Sequence, residues 1–306
     1  MNITLLLGAI ALFIYSLDSI SKNLVTLSIN KIKNKLGTIT SSLSSSFLTG
    51  FISTTILQSS SALIMLTIAL INAKLLSFNQ SIGIVLGSNI ATTLSSFLIG
   101  LNIEKIAPFF LLLSLPFLNF KNDKIRKPFT IIFFIFLLFY SFFLISISVS
   151  PLKDSPIILE YIKKTTDNFF LSLIIGVLLT ATLQSSSLFI AILQILAMSN
   201  IITTIQAIPL IFGANIGTSF DALITLFSSN KESKKLAHFS IFFNILTTTF
   251  FIIFLNPFTS LLTIITNKLN TNPTMNIAII NILFNILGVL ITLPFINKIK
   301  RYYSKW

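Results

Sequence analysis

The sequence predicts an all-α polytopic membrane protein built from two related halves. Hydrophobic residues make up 54% of its 306 positions and charged residues only 9%, whereas a soluble domain carries about 25% charge. Long apolar runs alternate with short basic clusters, and two polar motifs recur after 126 residues. Together these observations predict two inverted-topology repeats, each with a re-entrant helical hairpin and a broken helix, and about seven spanning helices.

Nine apolar stretches account for this architecture. Five are uninterrupted candidate spans, namely residues 3–21, 106–120, 128–150, 239–255 and 276–296. Four others contain small polar residues, and we interpret them as hairpins (43–73 and 169–199) and broken helices (78–101 and 204–227). Because no basic residue precedes Ile3, we expect the first run to be a retained helix rather than a signal peptide.

Two motifs define the internal repeat. Gln58-Ser59-Ser60-Ser61 recurs as Gln184-Ser185-Ser186-Ser187, and Gly87-Ser88-Asn89-Ile90 recurs without a gap as Gly213-Ala214-Asn215-Ile216. The shared residues are mostly Gly, Gln, Asn, Ser and Thr, which are uncommon on lipid-facing helices. We therefore predict a first transmembrane repeat over 1–127, an inverted repeat over 128–256, and a C-terminal extra helix with a basic tail over 257–306.

The net charge of +13 fits membrane orientation better than nucleic-acid binding. The basic residues form loop clusters between apolar runs, not the continuous surface that a nucleic acid would need. An N-terminus outside and a cytoplasmic C-terminus would place 16 of the 21 Lys and Arg residues inside, as the positive-inside rule favours. We expect a multi-pass membrane protein, in contact with lipid and not with nucleic acid.

The Gln-Ser-Ser-Ser segments are predicted to form the tips of the two hairpins. Serine is a good N-cap, so the apolar run from Ala62 or Leu188 onward can form the returning half-helix. The free N–H groups and the positive dipole end of that half-helix would face the tip. With three hydroxyl groups added, each tip would bind an anion without a Lys or Arg side chain.

The Gly-x-Asn-Ile-x-Thr segments point to a cation instead. Glycine would relax the backbone, while Asn and Thr oxygens and freed carbonyl groups suit a small hard cation such as Na⁺. Asp221 follows Thr218 by three residues, and a carboxylate inside an apolar stretch is a functional candidate by default. Its repeat partner is Ser95, so this charge is asymmetric; an ion pair with Lys231 or Lys234 is the alternative.

Other polar residues have structural interpretations. The Ser, Gly and Thr residues of either motif could serve only to pack helices closely. We expect Asp18 to pair with Lys22, and His238, the single histidine, to lie at an interface beside Lys235. The absence of cysteine excludes thiol chemistry and Cys-ligated metals, and no cluster predicts a transition metal.

The paired Gln-Ser-Ser-Ser motifs, each followed by a Gly-Ala-Asn-Ile-Gly-Thr type segment, resemble the type II sodium-dependent phosphate cotransporter family. The resemblance covers most of the chain and implies symport of inorganic phosphate with Na⁺ by alternating access, with Na⁺ as coupling ion and no other cofactor. It implies phosphate contacts at Ser59, Ser60, Ser61, Ser185, Ser186 and Ser187. It implies sodium contacts at Gln58, Asn89, Thr92, Gln184, Asn215 and Thr218, to which the reasoning above adds Asp221.

The second copy keeps the whole Gly213–Thr218 pattern, but the first has Ser88 and Ala91 in place of Ala and Gly. We therefore expect the better-formed sodium site in the second copy. Bacterial members of this family often carry a soluble helical domain after the last span. The sequence ends at Trp306, ten residues after the last predicted helix, so we expect no regulation through such a domain.

Three other functions remain to be weighed. A membrane enzyme is disfavoured because no base lies near a candidate Ser nucleophile. A passive anion or cation channel could also use re-entrant loops, and a carrier of sulfate or arsenate would use the same donors as a phosphate carrier. A homodimer is compatible with the sequence.

Overall fold

The computed structural model describes residues 3–33, 40–220, 222–223 and 230–306, and over these ranges the chain is helical without a β-strand. The helices, numbered in chain order, are α1 (Ile3–Lys33), α2 (Leu43–Leu57), α3 (Ser60–Asn72), α4 (Phe78–Ala91), α5 (Thr93–Gly100), α6 (Ala107–Ser114), α7 (Asp123–Val149), α8 (Pro156–Thr166), α9 (Phe169–Leu183), α10 (Ser186–Met198), α11 (Thr204–Gly217), α12 (Lys231–Ile253), α13 (Leu255–Leu269), α14 (Pro273–Thr292) and α15 (Ile296–Ser304). Short 3₁₀ segments cover Leu115–Asn119, Ser150–Asp154 and Leu293–Phe295. The prediction of an all-α polytopic membrane protein is confirmed.

The helix bounds follow the same offset as the sequence motifs. The helices α2, α3 and α4 begin and end 126 residues before α9, α10 and α11, respectively. The helices α4 and α11 also start alike, because Ser77 and Thr203 each form a capping box with a glutamine three residues later. Each of these glutamines closes the first turn of its helix and so fixes where the helix begins.

The candidate spans agree with the prediction for most of the chain. Five segments are long and apolar enough to cross a bilayer, and a sixth is possible if α8 and α9, which meet at 101°, count as one span. The region 106–120 differs, because Ala107–Asn119 is a shorter apolar segment that reaches only about 20 Å at about 1.5 Å per residue. Within 204–227 the helix α11 ends at Gly217, and residues 221 and 224–227 lie outside the described residues.

Two helices are longer than the apolar runs that predicted them. The helix α1 continues to Lys33, twelve residues past the expected end, so Asp18 lies in its middle and not at its inner end. The helix α12 begins at Lys231, which places His238 within a helix. There His238 Nδ1 lies 2.5 Å from Tyr303 Oη, joining α12 to α15.

The first arm of each hairpin packs along the helix that follows that hairpin: α2 lies against α4, and α9 lies against α11. These pairs approach so closely that only glycine fits. A Cβ atom on Gly87 would lie 2.0 Å from Phe47 O, and one on Gly213 would lie 2.1 Å from Leu173 O. This contact fixes the hairpins, and with them the serine tips, against the rest of the protein.

The central helix α14 contacts both halves of the chain. It packs on α5 of the first half and on α10, α11 and α12 of the second. Phe212, Phe251 and Phe284 form part of the apolar core around it. Outward-facing Leu, Ile and Phe side chains cover much of the remaining helix surface, as expected where helices contact lipid.

Candidate functional site

Each hairpin turns at the glutamine of its Gln-Ser-Ser-Ser motif. Gln58 ends α2 in a left-handed conformation, and Gln184 ends α9 in the same way. The next serine is the N-cap of the returning helix: Ser59 Oγ accepts a hydrogen bond from Ala62 N, and Ser185 Oγ accepts one from Leu188 N, both at 3.2 Å. The prediction that serine caps a half-helix at this point is confirmed.

The capped helices keep free donors at their tips. The first turn of an α-helix has N–H groups without an intrahelical acceptor. In α3 the Ala62 N–H goes to the Ser59 hydroxyl and the Leu63 N–H to Ser59 O, which leaves those of Ser60 and Ser61. In α10 the same capping leaves the N–H groups of Ser186 and Ser187 without an acceptor among the described residues. Each tip therefore presents two amide protons at the positive end of a helix dipole.

The two tips meet around one cavity. It is lined by Gln58, Ser59, Ser60, Ser61, Thr92, Gln184, Ser185, Ser186, Ser187 and Thr218. The structure thus brings together both serine motifs and both threonines of the second motif, although the two copies lie 126 residues apart in the sequence. Among the described residues no Lys or Arg lines this cavity, so any anion held there would be held by amide and hydroxyl protons.

The tip cavity is small in this conformation. Its volume is about 30 Å³, room for about two water molecules. A phosphate ion has five non-hydrogen atoms and is too large for this volume. A larger cavity of about 430 Å³, which we call the vestibule, adjoins the tips and shares Gln58, Ser59, Gln184 and Ser185 with the tip cavity.

Helix α1 supplies the opposite wall of the vestibule, including Leu17, Asp18 and Ser21. The carboxylate of Asp18 forms an ion pair with Lys22 at 2.6 Å, as predicted. Half of the Asp18 side chain is exposed, and Lys22 is more exposed still. At the approach to the tips, this ion pair therefore has a carboxylate lining the vestibule and an ammonium group beside it.

Thr92 and Thr218 lie where the second motif ends its helix. Thr92 Oγ1 donates to Asn89 O at 2.7 Å, and Thr218 Oγ1 donates to Ala214 O at 2.8 Å. Their protons are therefore engaged, and the oxygen lone pairs remain available to a cation. The helix is only slightly interrupted between α4 and α5, because the Thr92 N–H still donates to Ser88 O at 3.1 Å. The Ser88 carbonyl is therefore not freed, and the expectation that freed carbonyl groups of this segment bind a cation stays a prediction.

The asparagines of the second motif do not line the tip cavity. Asn89 Nδ2 donates to Val85 O, one turn back in its own helix. Asn215 Nδ2 donates to Ile211 O in the same way, and the Asn215 side chain also contacts two asparagines of α14. Asp221, the fourth predicted cation ligand of the second half, lies outside the described residues.

Ser88, one of the residues at which the first copy departs from the family pattern, has a hydrogen-bond partner. Ser88 Oγ accepts a hydrogen bond from Thr54 Oγ1 at 2.8 Å, which ties α2 to α4. The equivalent pair in the second half is Thr180 and Ala214. The Thr180 hydroxyl is buried without a hydrogen-bond partner among the described residues, since alanine offers none.

The sequence analysis missed the polar face of α14. Asn281 Nδ2 donates to Ser96 Oγ at 3.2 Å, and Asn285 Nδ2 donates to Asn215 Oδ1 at 3.2 Å. Two signals could have found these residues. Both are amides one helical turn apart in an apolar span, and Phe-Asn-Ile-Leu occurs both at 243–246 and at 284–287.

Comparison with known proteins gives one family and several relatives. The family model described as Na⁺/Pi-cotransporter matches residues 12–147 and 155–302. The chain is 28% identical over 292 residues to "Uncharacterized protein YqeW" of Bacillus subtilis (strain 168), covering 95% of this chain and 94% of that protein. No solved structure matches the chain significantly.

A second group of relatives is longer. The chain is 21% identical over 298 residues to the "Putative inorganic phosphate export protein YjbB" of Escherichia coli (strain K12), covering 97% of this chain and 54% of that protein. A Salmonella typhimurium protein of the same name is 20% identical over 301 residues, covering 98% of this chain and 55% of that protein. The chain thus spans about half the length of these relatives.

Proposed function

Because the chain belongs to the Na⁺/Pi-cotransporter family, we propose that it carries inorganic phosphate across the membrane together with Na⁺. The observation that carries this proposal is the cavity between the two serine tips. Family membership supports phosphate as the substrate and Na⁺ as the partner ion. A transport role also means that no covalent chemistry is assigned to the serines.

Phosphate would be bound by the six tip serines, Ser59, Ser60, Ser61, Ser185, Ser186 and Ser187. Their hydroxyl protons and the free N–H groups at the start of α3 and α10 would converge on one oxyanion from two sides. The helix dipoles add favourable charge, since each contributes about half a positive charge at its N-terminus. A site of this kind holds an anion reversibly, because no fixed cation opposes release.

Na⁺ would bind first and prepare the tips. We assign it oxygens of Gln58, Thr92, Gln184 and Thr218 around the tip cavity, and of Asn89, Asn215 and Asp221 at the second motif. A cation between the tips would offset the charge of the incoming phosphate. Because Asp221 corresponds to Ser95 in the first repeat, its carboxylate would give the second repeat a charge that the first lacks.

Alternating access follows if the repeats are inverted in the membrane. We propose repeats over 1–127 and 128–256 followed by an extra segment over 257–306, with the N-terminus outside and the C-terminus in the cytoplasm of a bacterium. This orientation is supported by 16 Lys and Arg residues on the inner side against 5 on the outer side. Opposed hairpins would let the fixed site open first to one side and then to the other.

Labelled phosphate uptake into proteoliposomes tests the proposal directly. Na⁺, K⁺ and H⁺ gradients are imposed in turn across vesicles that contain the purified protein. We expect accumulation only with an inward Na⁺ gradient, and Na⁺ uptake driven by a phosphate gradient in return. Phosphate flux that ignores the Na⁺ gradient would show a passive channel instead. Unlabelled sulfate or arsenate that competes better than phosphate would identify another oxyanion as the substrate.

Phosphate export is the second candidate function. It is favoured by the name of the Escherichia coli and Salmonella relatives, which describes phosphate export. Export would use the same tip cavity with a different driving gradient. Vesicles loaded with labelled phosphate distinguish the two: efflux that an external Na⁺ concentration retards would indicate obligate symport, whereas efflux that proceeds without Na⁺ on either side would favour an exporter.

A further inference from the structure

The central helix α14 carries two buried asparagines that contact the second motif. Asn281 is 3% exposed and Asn285 is 1% exposed. Both amide side chains reach Asn215, which is itself 8% exposed. The three side chains form a polar cluster inside an otherwise apolar core, and we call it the amide cluster.

One nitrogen of the amide cluster faces three oxygen atoms. Asn285 Nδ2 lies 3.2 Å from Asn215 Oδ1, 2.9 Å from Asn281 O and 3.2 Å from Asn281 Oδ1. This nitrogen carries only two protons, so it cannot donate to all three oxygens at once, and Asn281 Oδ1 has just one other donor within the described part of the chain, Asn215 Nδ2 at 3.5 Å. Asn285 Oδ1 is buried and has no hydrogen-bond partner among the described residues.

A buried acceptor without a partner destabilises the folded state, so its presence requires an explanation. An unseen ion or water is a recognised one. Turning the Asn285 amide by 180° exchanges its nitrogen and oxygen with little change in shape. Four oxygens would then face each other, a repulsive arrangement that a cation would make favourable.

The distances from the Asn285 amide to the other oxygens suit a cation of the size of Na⁺ or Ca²⁺. Oxygen ligands at about 2.4 Å from such an ion lie roughly 3.4 Å apart when the angles between bonds are near 90°. Asn285 Nδ2, whose place the turned oxygen would take, lies 2.9 to 3.2 Å from the three oxygens, which is close to that value. The three side chains are neutral, which favours a monovalent ion over Ca²⁺, whose sites use carboxylates.

We propose that Asn281 and Asn285 of α14 complete a Na⁺ site with Asn215, and that Asn285 turns its amide oxygen inward when the ion binds. This inference deepens the proposed function and rests on it for the identity of the ion. It adds two ligands that lie outside both sequence motifs. The site is separate from the tip cavity, so it would hold an ion without contact to phosphate.

The contacts of the cluster give Na⁺ binding a route to both halves of the protein. Asn281 Nδ2 donates to Ser96 Oγ of α5 in the first half. Ser96 O in turn accepts from Gln194 Nε2 of α10 at 2.8 Å, on the returning arm of the second hairpin. An ion that reorients the amides would therefore act directly on α5 and α11, and on α10 through Ser96.

The purified protein without phosphate provides the test. Thermal unfolding is followed while Na⁺ replaces choline at constant ionic strength, because a bound ligand raises the unfolding temperature in a concentration-dependent way. We expect Na⁺ to stabilise the wild type and K⁺ to have a smaller effect. Asn285→Leu should raise the half-saturating Na⁺ concentration at least tenfold, whereas Asn285→Asp should keep it or lower it, since a carboxylate is the stronger ligand.

The Asp variant separates an ion site from a packing contact. An amide that only packs helices needs its N–H donors, so Asn285→Asp would then be as damaging as Asn285→Leu. Asn276→Asp is the matched control, because Asn276 lies on the same helix and uses its oxygen to accept from Thr271. It should titrate like the wild type. If Asn285→Leu does not fold, Asn281→Ser should raise the half-saturating Na⁺ concentration at least fivefold.

The inference is overturned if Na⁺ does not stabilise the wild type, or if Asn285→Leu keeps its titration within twofold. It is also overturned if Asn285→Asp loses Na⁺ binding together with Asn285→Leu. Failure of the proposed function has a different signature. Phosphate flux without Na⁺ dependence, alongside Na⁺ stabilisation that requires Asn285, would reject symport and leave the ion site supported.

Discussion

Gln58 and Gln184 have the same left-handed backbone, with φ of 51° at both residues and ψ of 22° and 26°. Residues other than glycine avoid this region because the Cβ approaches the following carbonyl, at a cost of roughly 1–2 kcal/mol. Glycine would turn both hairpins without that strain. We therefore propose that the glutamine side chains contribute to ion binding beside the serines, in addition to the hydrogen bonds that Gln58 makes with Ser95 and Thr55.

Gln184→Gly should separate stability from transport. Its side chain is exposed at the tip cavity, so we expect relief of backbone strain to raise the free energy of unfolding by up to about 1 kcal/mol. Phosphate uptake at limiting Na⁺ should fall at least tenfold. Gln58→Gly should stabilise less, because Gln58 Oε1 accepts from Ser95 and Gln58 Nε2 donates to Thr55 O. Unchanged uptake by Gln184→Gly would argue against a Na⁺ contact there.

Removing the middle serine of each tip should weaken phosphate binding. A hydrogen bond to a charged group contributes about 1.5–3 kcal/mol, so Ser60→Ala and Ser186→Ala should each raise the half-saturating phosphate concentration roughly tenfold or more. Initial rates of labelled phosphate uptake measure this.

Ser148→Ala is the control for these two serines, because its buried hydroxyl only donates to Leu144 O within α7. If both tip variants transport like Ser148→Ala, the phosphate site lies elsewhere.

The contact between each first hairpin arm and its partner helix predicts where glycine is needed. Gly213→Ala places a methyl group within 2.1 Å of Leu173 O. Overpacking against main chain costs about 1–3 kcal/mol, so the unfolding temperature in detergent should drop clearly. Gly8→Ala is the matched control, since nothing lies within 4 Å of the added methyl group. Equal unfolding temperatures for the two variants would contradict the close packing of α9 on α11.

The vestibule predicts a charge effect on phosphate entry. Asp18 lines it on α1, and its negative charge opposes an approaching anion. Asp18→Asn should lower the half-saturating phosphate concentration a few-fold at low ionic strength, and the effect should shrink in 0.5 M salt because the Debye length is then only about 4 Å. Uptake kinetics at two salt concentrations measure this.

Asp123→Asn provides the comparison, because Asp123 also forms an ion pair but does not line the vestibule. An equal response of the two variants would mean that Asp18 acts only through overall charge.

The local features of the site could be predicted from sequence, whereas the contacts between distant helices could not. Ser59 and Ser185 were identifiable as N-caps because capping depends on residues within one turn. The run 106–120 was interpreted as a span by its apolarity alone, but Pro116 lacks an N–H and lies in a 3₁₀ segment, not an α-helix. The meeting of Asn215 with Asn285 depends on the packing of α14, which no local pattern specifies.

The proposed inversion of the repeats predicts opposite accessibility for two equivalent turns. Lys74 and Asn200 follow α3 and α10 at the repeat offset, both are exposed, and both have positive φ, 58° and 56°. Inversion would put Lys74 on the cytoplasmic side and Asn200 outside. The chain contains no cysteine, so Lys74→Cys and Asn200→Cys each give a protein with one thiol.

A membrane-impermeant maleimide added to intact cells should label Asn200→Cys at once and Lys74→Cys only after permeabilisation. Reduced labelling of both variants in intact cells would place the two turns on the inner side and indicate parallel repeats, in which both hairpins open to the same side. The serine tips could then not alternate by exchanging the roles of two mirror-related hairpins. Opposite labelling would instead mean that each tip is reached from a different side, as a carrier that moves its substrate past a fixed site requires.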